Sequence, residues 1–371
     1  MNLLSGIIFS NIYDESLGDL TAKRTVASLP FGGRYRQIDY VLSNMVNSGI
    51  TSVGVITKYN YESLMDHLGS SEEWDLNRKT GGLYIIPPFA SGKSDVYRGK
   101  LEALHTALNF LNNQKNEYIV LSDTINICNI NYQEVLAQHI ASGRNITVVV
   151  SSYKGAQVRY PVVFEQNPDS SAKSISISAE AKEGSFIGLG MFIMKREELI
   201  EVVKDCVAQG HYHFEKDFMQ KYFNEKKLSV NLYEFEGVVL INQNIASYLK
   251  NNISLIDEEI HNGLYKPSAP IYTKVRDEIP SYYGKDSLVD ECIIADGCRI
   301  FGELKKSVIF RDVTVEEGAK VFGSVVMQGT KIKKGACIEN AIIDKNVTIS
   351  ENTCLLGSPL SPVIIKKGET I

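Results

Sequence analysis

Three consecutive stretches near the C-terminus repeat one pattern: SVIFRDVTVEEGAKVFG (307–323), SVVMQGTKIKKGACIEN (324–340) and AIIDKNVTISENTCLLG (341–357). A repeat this regular indicates stacked structural units. Three short edges per stretch, each beginning with an inward-facing aliphatic residue, predict one coil of a triangular parallel β-helix. The aliphatic residues that recur in register are Ile309, Val326 and Ile343, then Val315, Ile332 and Ile349, and then Val321, Ile338 and Leu355.

One further position of the repeat supports this interpretation. Gly318, Gly335 and Asn352 are equivalent, and a corner of the coil needs the left-handed conformation that Gly and Asn adopt at low cost. The segment 288–302 matches less well and is interpreted as an irregular first coil. The alternative is a set of ordinary antiparallel strands whose spacing agrees by chance.

A β-helix of this kind serves either as the body of an acyltransferase or as a platform for assembly and regulation. Acyl transfer requires a general base near the coils, commonly His. All histidines precede residue 284, so the sequence argues against acyl transfer by this part of the chain. The six histidines are His67, His105, His139, His211, His213 and His261.

Composition limits the remaining possibilities. The chain has 371 residues, with 39 basic and 44 acidic side chains and a net charge of −5. This length favours two domains, and a mildly acidic chain without a basic block argues against nucleic-acid and membrane-surface proteins. No apolar run is long enough for a membrane span or a signal peptide. The six cysteines are scattered, as in a protein of a reducing compartment, so a cytoplasmic location is expected.

The N-terminal part alternates strand-like and helix-like segments, which predicts a parallel α/β sheet over about the first 255 residues. Ligands bind at the carboxyl ends of such strands. Asp123 directly follows a predicted strand, and Asp217 lies in a second acidic segment; the two would suit one Mg²⁺ beside a phosphate. From spacing alone, a turn former or helix cap is the more common role for such an aspartate. The predicted strands are 52–57, 118–121 and 147–151, and the predicted helices are 61–68, 100–113 and 132–142.

Several motifs in order resemble the bacterial ADP-glucose pyrophosphorylase (glucose-1-phosphate adenylyltransferase) family. They are LPFGGRYRQIDYVLSN (29–44), NSGI (47–50), YRG (97–99), Asp123, FEKD (214–217) and APIYT (269–273). The resemblance implies an α/β fold: a Rossmann-like, GT-A-like nucleotidyltransferase domain followed by a left-handed parallel β-helix. The expected boundaries are 1–255 for the first domain, 256–284 for a linker and 285–371 for the β-helix.

The chain departs from this family where the family binds phosphate. The glycine-rich loop after the first strand is replaced by NIYDESL (11–17), which places Ser16 at the position of the family's catalytic Arg. Val26 stands at the position of the catalytic-type Lys. Each lost cation typically costs ~10²–10³ in rate. No catalytic residue is assigned. Tyr97, Arg98, Gly99, Asp123 and Asp217 are interpreted as a vestigial nucleotide and sugar-phosphate site, with the two aspartates as vestigial Mg²⁺ ligands.

This combination resembles the poorly active, GlgD-type regulatory branch of the family. The resemblance implies a GlgC-type catalytic subunit as partner, a heterotetramer, and Mg²⁺ at the partner rather than in this chain, with self-association possible when the chain is alone. ATP, glucose 1-phosphate and a sugar-phosphate effector are the expected ligands of the complex, without nucleic acid or membrane. Lys23 and Arg24 match basic residues near the family's activator site, although a solvated basic pair explains them equally well.

Two other hypotheses remain open at this point. The chain is an active nucleotidyltransferase if a rearranged N-terminal loop places Arg24, Arg34 or Arg36 on the phosphates. It is a non-enzymatic sensor of sugar phosphates or nucleotides if it works without a catalytic partner.

Overall fold

A mixed β-sheet forms the centre of the N-terminal domain in the computed structural model, which describes residues 3–12, 14–88, 97–153, 161–178 and 180–371. Within these residues the sheet has nine strands, in the order β10-β9-β11-β6-β1-β4-β5, with β8 paired to β11 and β12 paired to β8. The strands of this part are β1 (Leu4–Phe9), β2 (Pro30–Phe31), β3 (Tyr35–Arg36), β4 (Ser52–Ile56), β5 (Gly82–Ile86), β6 (Tyr118–Asp123), β7 (Asn126–Ile127), β8 (Ile146–Ser152), β9 (Val162–Gln166), β10 (Ala172–Ile177), β11 (Phe186–Lys195), β12 (Val230–Glu234) and β13 (Leu240–Ile241).

The sheet is not wholly parallel, which corrects the expectation from the sequence. β1 pairs in parallel with β4 and β6, but β11 runs antiparallel to both β6 and β8. The three predicted strands correspond to β4, β6 and β8. Because β1 and β6 are parallel neighbours, their carboxyl ends lie side by side and place Phe9 next to Asp123.

Helices cover both faces of this sheet and enclose an apolar core on each face. They are α1 (Gln37–Asn47), α2 (Glu62–Leu68), α3 (Lys100–Thr106), α4 (Leu108–Asn113), α5 (Tyr132–Ser142), α6 (Arg196–Ala208), α7 (Lys221–Asn224), α8 (Ile245–Ser254) and α9 (Glu258–Leu264), with a π-helical segment at Phe214–Gln220. The predicted helix 100–113 is divided at Ala107, whose N–H bonds to the carbonyl of Leu104 in a tighter turn. Within the residues described, no helix has the length and apolarity required to cross a membrane.

The C-terminal part is a parallel β-helix whose coils match the repeat. The register pairs Ile309 with Val326 and Val326 with Ile343, as predicted. Its ladders begin at Tyr282, inside the segment expected to be linker. The strands are β14 (Tyr282–Tyr283), β15 (Leu288–Asp290), β16 (Ile293–Ile294), β17 (Arg299–Ile300), β18 (Glu303–Lys305), β19 (Val308–Ile309), β20 (Thr314–Val315), β21 (Lys320–Phe322), β22 (Val325–Val326), β23 (Lys331–Ile332), β24 (Cys337–Glu339), β25 (Ala341–Ile343), β26 (Thr348–Ile349), β27 (Cys354–Leu356) and β28 (Val363–Ile365).

The corner residues adopt the predicted left-handed conformation, with φ of 71° at Gly318, 70° at Gly335 and 57° at Asn352. We expect Asn352→Ala to lower the free energy of unfolding by about 1 kcal/mol, because a Cβ without a compensating side-chain amide is strained there. Asn352→Gly, the matched control, should leave stability nearly unchanged. Urea denaturation followed by circular dichroism measures both; equal losses for the two variants would contradict this explanation.

The two domains share a third apolar core rather than meeting only through a linker. It joins Leu17 and Val26 of the N-terminal domain to Val308, Val325 and Ile342 on one face of the β-helix. Helix α8 packs against β22 in the same region. Packing against the β-helix therefore helps to hold the residues of the N-terminal domain that border this shared core.

Candidate functional site

A cavity of about 480 Å³ opens beyond the carboxyl ends of β1 and β6. We call it the sheet cleft. Apolar residues form much of its wall, including Ile12, Ile125, Val148, Phe164, Phe192 and Ile241. The polar residues that line it are Glu15, Ser16, Asp123, Asn126, Glu215 and Gln243. Because its position is the ligand-binding edge of an open α/β sheet, it is the primary candidate site.

Lys100 joins two of the carboxylates that line the sheet cleft. Its Nζ is 2.8 Å from Oδ2 of Asp123 and also donates to Oε1 of Glu215. The rings of Phe9 and Phe192 flank the ammonium, with their centroids 5.6 and 5.5 Å from Nζ. Lys100 is only 4% exposed, so the charge is removed from water and balanced by the two acids.

Asp123 and Asp217 are not brought together on a common ligand. The Asp217 carboxylate accepts the backbone N–H groups of Tyr212 and His213, each at 2.9 Å, and Asp217 does not line the cleft. Burial opposes ionisation of this carboxyl, but the two amides outweigh it and lower its pKa. Glu215, which the sequence analysis did not single out, is the acid that accompanies Asp123.

The segment Tyr97-Arg98-Gly99 packs against the loop that precedes Asp217. Tyr97 is buried, and the guanidinium of Arg98 lies over the ring of Tyr212 while it pairs with Glu102. A Cβ at Gly99 would collide with the carbonyl of Tyr212, so only glycine allows this approach. These motifs therefore lie close together in the structure, but they contact each other.

The altered N-terminal loop is closed by its own polar contacts. Asp14 accepts the N–H of Val26 at 2.8 Å and a hydrogen bond from the Asn11 amide, and burial raises its pKa. The segment 11–17 brings two carboxylates to the position where the family binds phosphate, but Asp14 is turned into the loop and only Glu15 lines the cleft. Ser16 also lines the cleft, where the resemblance places a catalytic Arg.

These contacts do not fit a magnesium ion. The space between Asp123 and Glu215 holds the ammonium of Lys100, and Asp217 is engaged elsewhere. Among the described residues, no group of three or more His, Cys, Asp or Glu side chains has a metal-binding arrangement. A polyphosphate is disfavoured for the same reason, since the described lining carries carboxylates and no Lys or Arg.

A second, narrower cleft lies between the N-terminal domain and the β-helix, with a cavity of about 30 Å³. We call it the basic cleft. Its cationic lining residues are Arg34, Arg36, Lys274, Arg276, Arg311 and Lys345, and His67 lies beside them. The described lining contains no acidic residue. Such a concentration of like charge is typical of an anion-binding site.

Two β-helix residues give the basic cleft its distinctive electrostatics. Arg311 is 7% exposed, and its Nε and Nη2 atoms are buried without a hydrogen-bond partner. Burial, followed by the charges of Arg36, Arg24 and Arg276, lowers the pKa of Lys345 to about 7. Both observations describe donors that a bound anion would satisfy.

The predicted effector pair Lys23 and Arg24 separates in the structure. Lys23 is exposed, whereas Arg24 is 4% exposed. The Nη2 atom of Arg24 donates to both carboxylate oxygens of Asp344 in the β-helix, at 2.7 Å to Oδ1 and 2.5 Å to Oδ2. Neither residue lines a described cleft. Arg24 instead joins the two domains through Asp344. Of the cationic residues that line the basic cleft, only Arg34 and Arg36 were singled out from the sequence.

The fold and the sheet cleft define a class of protein: a nucleotidyltransferase-type α/β domain joined to a hexapeptide β-helix. A family model described as "Nucleotidyl transferase" matches residues 7–237, and one described as "GlmU-like, C-terminal hexapeptide" matches residues 279–358. Because the first match covers more than half of the chain, the chain belongs to the nucleotidyl transferase family.

Full-length relatives define its position within that family. The chain is 32% identical to "Glycogen biosynthesis protein GlgD" of Bacillus subtilis over 99% of its own length and 96% of the relative's. It is 34% identical to the GlgD of Geobacillus stearothermophilus over 86% of this chain and 83% of that protein. It is 30% identical to "Glucose-1-phosphate adenylyltransferase" of Bacillus cereus, over 91% of each chain. It therefore belongs to the branch that contains the GlgD and glucose-1-phosphate adenylyltransferase proteins.

Proposed function

We propose that this chain is a regulatory, catalytically weak subunit of glucose-1-phosphate adenylyltransferase in bacterial glycogen biosynthesis. The enzyme would convert ATP and glucose 1-phosphate to ADP-glucose and diphosphate in the cytoplasm. One observation carries the proposal: Lys100 fills the space between Asp123 and Glu215, and the described lining of the sheet cleft offers no cation to a phosphate. The chemistry would then take place in a GlgC-type partner that holds Mg²⁺, within a heterotetramer.

The basic cleft supports the regulatory half of the proposal. Its lining comes from both domains, so an anion bound there would contact the N-terminal domain and the β-helix together. A sugar phosphate is the effector class we propose, since its phosphate would satisfy Arg311. Binding would stabilise one arrangement of the domains, and a coupling of about 1–3 kcal/mol to the partner is typical of such effects.

Pyrophosphate release from ATP and glucose 1-phosphate with Mg²⁺ tests this function. We expect no measurable turnover by this chain alone, and a gain of about tenfold or more over a GlgC-type subunit alone when the two are coexpressed. Robust turnover by this chain alone would contradict the proposal. No gain on coexpression, with a complex present by size-exclusion chromatography, would also contradict it.

The lining of the sheet cleft and copurification from the native cell separate the remaining hypotheses. An active transferase with a rearranged loop requires Arg24, Arg34 or Arg36 at the phosphates, but none of the three lines the sheet cleft. A sensor that acts without a catalytic partner would purify from its native cell free of a GlgC-type subunit. Copurification with such a subunit would support the regulatory role.

A further inference from the structure

Two carboxylates that line the sheet cleft are bridged by an ammonium ion that belongs to the chain itself. Lys100 Nζ contacts Asp123 and Glu215 and lies between the rings of Phe9 and Phe192. Two carboxylates and two aromatic faces are the groups that stabilise a buried cation. Helix α3 begins at Lys100, and the N–H of Leu101 bonds to the carbonyl of Tyr212, which anchors the backbone at this point.

We propose that Lys100 takes the place of a divalent cation, so that the sheet cleft is a metal-free binding site for an uncharged sugar. The inference concerns this chain's own cleft and stands whether or not the chain activates a partner. A metal ion would have to displace the ammonium from both carboxylates at once. The cleft therefore has no means of neutralising a phosphate, either through a metal or through a basic side chain of its described lining.

The rest of the lining favours a ligand that donates hydrogen bonds. Asn126 is 4% exposed, and its Oδ1 is buried without a hydrogen-bond partner, while its Nδ2 donates to the carbonyl of Leu189. Glu15 and Glu215 add carboxylate acceptors to the lining of the cavity. Sugar hydroxyls are donors of suitable size, and their C–H faces pack on apolar walls such as Phe164 and Ile241.

The size of the cavity agrees with this class of ligand. About 480 Å³ is within the usual range for a small-molecule site and accommodates one sugar ring with an attached group. The ring is provided either by a free sugar or by the ribose of a nucleoside. Glucose and adenosine are therefore the uncharged probes, and glucose 1-phosphate and ATP are their phosphorylated counterparts.

The ligand half of the proposal is tested by calorimetry on the full-length wild-type protein, with and without Mg²⁺. We expect glucose or adenosine to bind without a requirement for Mg²⁺, and its phosphorylated counterpart to bind at least about tenfold more weakly in the sheet cleft. Arg311→Gln in the basic cleft separates any anion binding there from binding in the sheet cleft. Equal or tighter binding of the phosphorylated probe in this variant would overturn the proposal, as would no binding of either uncharged probe.

The metal half is tested by the electron paramagnetic resonance signal of free Mn²⁺. We expect the wild-type protein and Lys173→Met, an exposed control, to leave the signal unchanged, and Lys100→Met to gain one Mn²⁺ site. Mg²⁺ should raise the melting temperature of Lys100→Met only. Stoichiometric Mn²⁺ binding by the wild type would overturn the proposal, and so would a folded Lys100→Met that gains no site. If Lys100→Met does not fold, the Mn²⁺ and Mg²⁺ measurements on the wild-type protein test the proposal by themselves.

Discussion

Asp344→Asn is expected to lower the free energy of unfolding by about 4 kcal/mol, because it leaves the buried guanidinium of Arg24 without its counter-charge. The two side chains are only 5% and 3% exposed, and the guanidinium contacts both carboxylate oxygens. The surroundings increase the cost, since Arg36 and Lys345 lie in the same region and would then face Arg24 without an intervening acid.

Arg24→Met should cost less, about 3 kcal/mol, although it breaks the same pair. The carboxylate that remains is still near the positive charges of Lys345 and Arg36, so Asp344 keeps favourable neighbours. The double variant should lose less than the sum of the single losses, because the two residues interact directly. This order, with Asp344→Asn as the most damaging single change, is the specific result that the charge distribution predicts.

These differences in the free energy of unfolding are measured by urea denaturation of the full-length chain, monitored by circular dichroism. Domain-specific proteolysis is the second probe. The matched control is Lys366→Met, which removes an exposed ion pair to Asp19 that also joins the two domains. An exposed pair of this kind contributes about 0–1 kcal/mol. A loss for Asp344→Asn no larger than that of the control would show that the buried pair does not hold the domains together.

The β-helix was the part of the fold most fully predictable from sequence. In a parallel coil, residues at equivalent positions of consecutive repeats become neighbours, so the spacing of Ile309, Val326 and Ile343 translates directly into strand register. The N-terminal sheet has no such repeat. Hydrophobic runs located β4, β6 and β8, but they carry no information on direction, and the antiparallel insertion of β11 between β6 and β8 was missed.

For the candidate site, the sequence predicted only the position of the residue that ends a predicted strand. Asp123 lies at the end of β6, as the strand pattern indicates. Its environment depends on side chains distant in sequence: Glu215 is 115 residues from Lys100, and Asp344 is 320 residues from Arg24. Lys100 directly follows the motif YRG (97–99), but only the packing of α3 against the loop near Tyr212 shows where its ammonium lies.

Arg311→Gln is expected to weaken sulfate binding in the basic cleft by about 100-fold, the effect of losing two charge-assisted hydrogen bonds from a buried guanidinium. Nε and Nη2 of Arg311 are buried without a hydrogen-bond partner, so an oxyanion would supply the acceptors that these two donors lack. The cavity of about 30 Å³ holds little more than water. Binding of an anion therefore requires the cleft to widen, and Arg34 and Arg276 are exposed lining side chains that have room to move.

The same substitution should raise the stability of the anion-free protein. Arg311 is buried beside other cations, and the burial and the charges of Arg34 and Arg276 lower its pKa. Burial and these two cations outweigh the acids Asp296 and Glu278, so removing the charge relieves repulsion, whereas removing an arginine with a purely structural role would destabilise the fold. Arg299→Gln, an exposed β-helix control, should change neither property. Calorimetric titration with sulfate and thermal denaturation in a buffer without oxyanions measure the two effects.

The pH dependence of sulfate binding provides an independent check, because sulfate itself does not titrate near neutrality. Lys345 has its pKa lowered to about 7 by burial and by Arg36, Arg24 and Arg276, with Asp344 opposing the shift. A bound anion favours the protonated amine, so binding takes up a proton above pH 7, and affinity should fall by up to about tenfold per pH unit there. Without anion, the lowered pKa means that the unfolded chain binds more protons between pH 7 and its ordinary pKa, so this residue makes stability rise with pH in that window. Lys345→Gln should remove the slope in affinity, and a slope that survives in this variant would place the titrating group elsewhere.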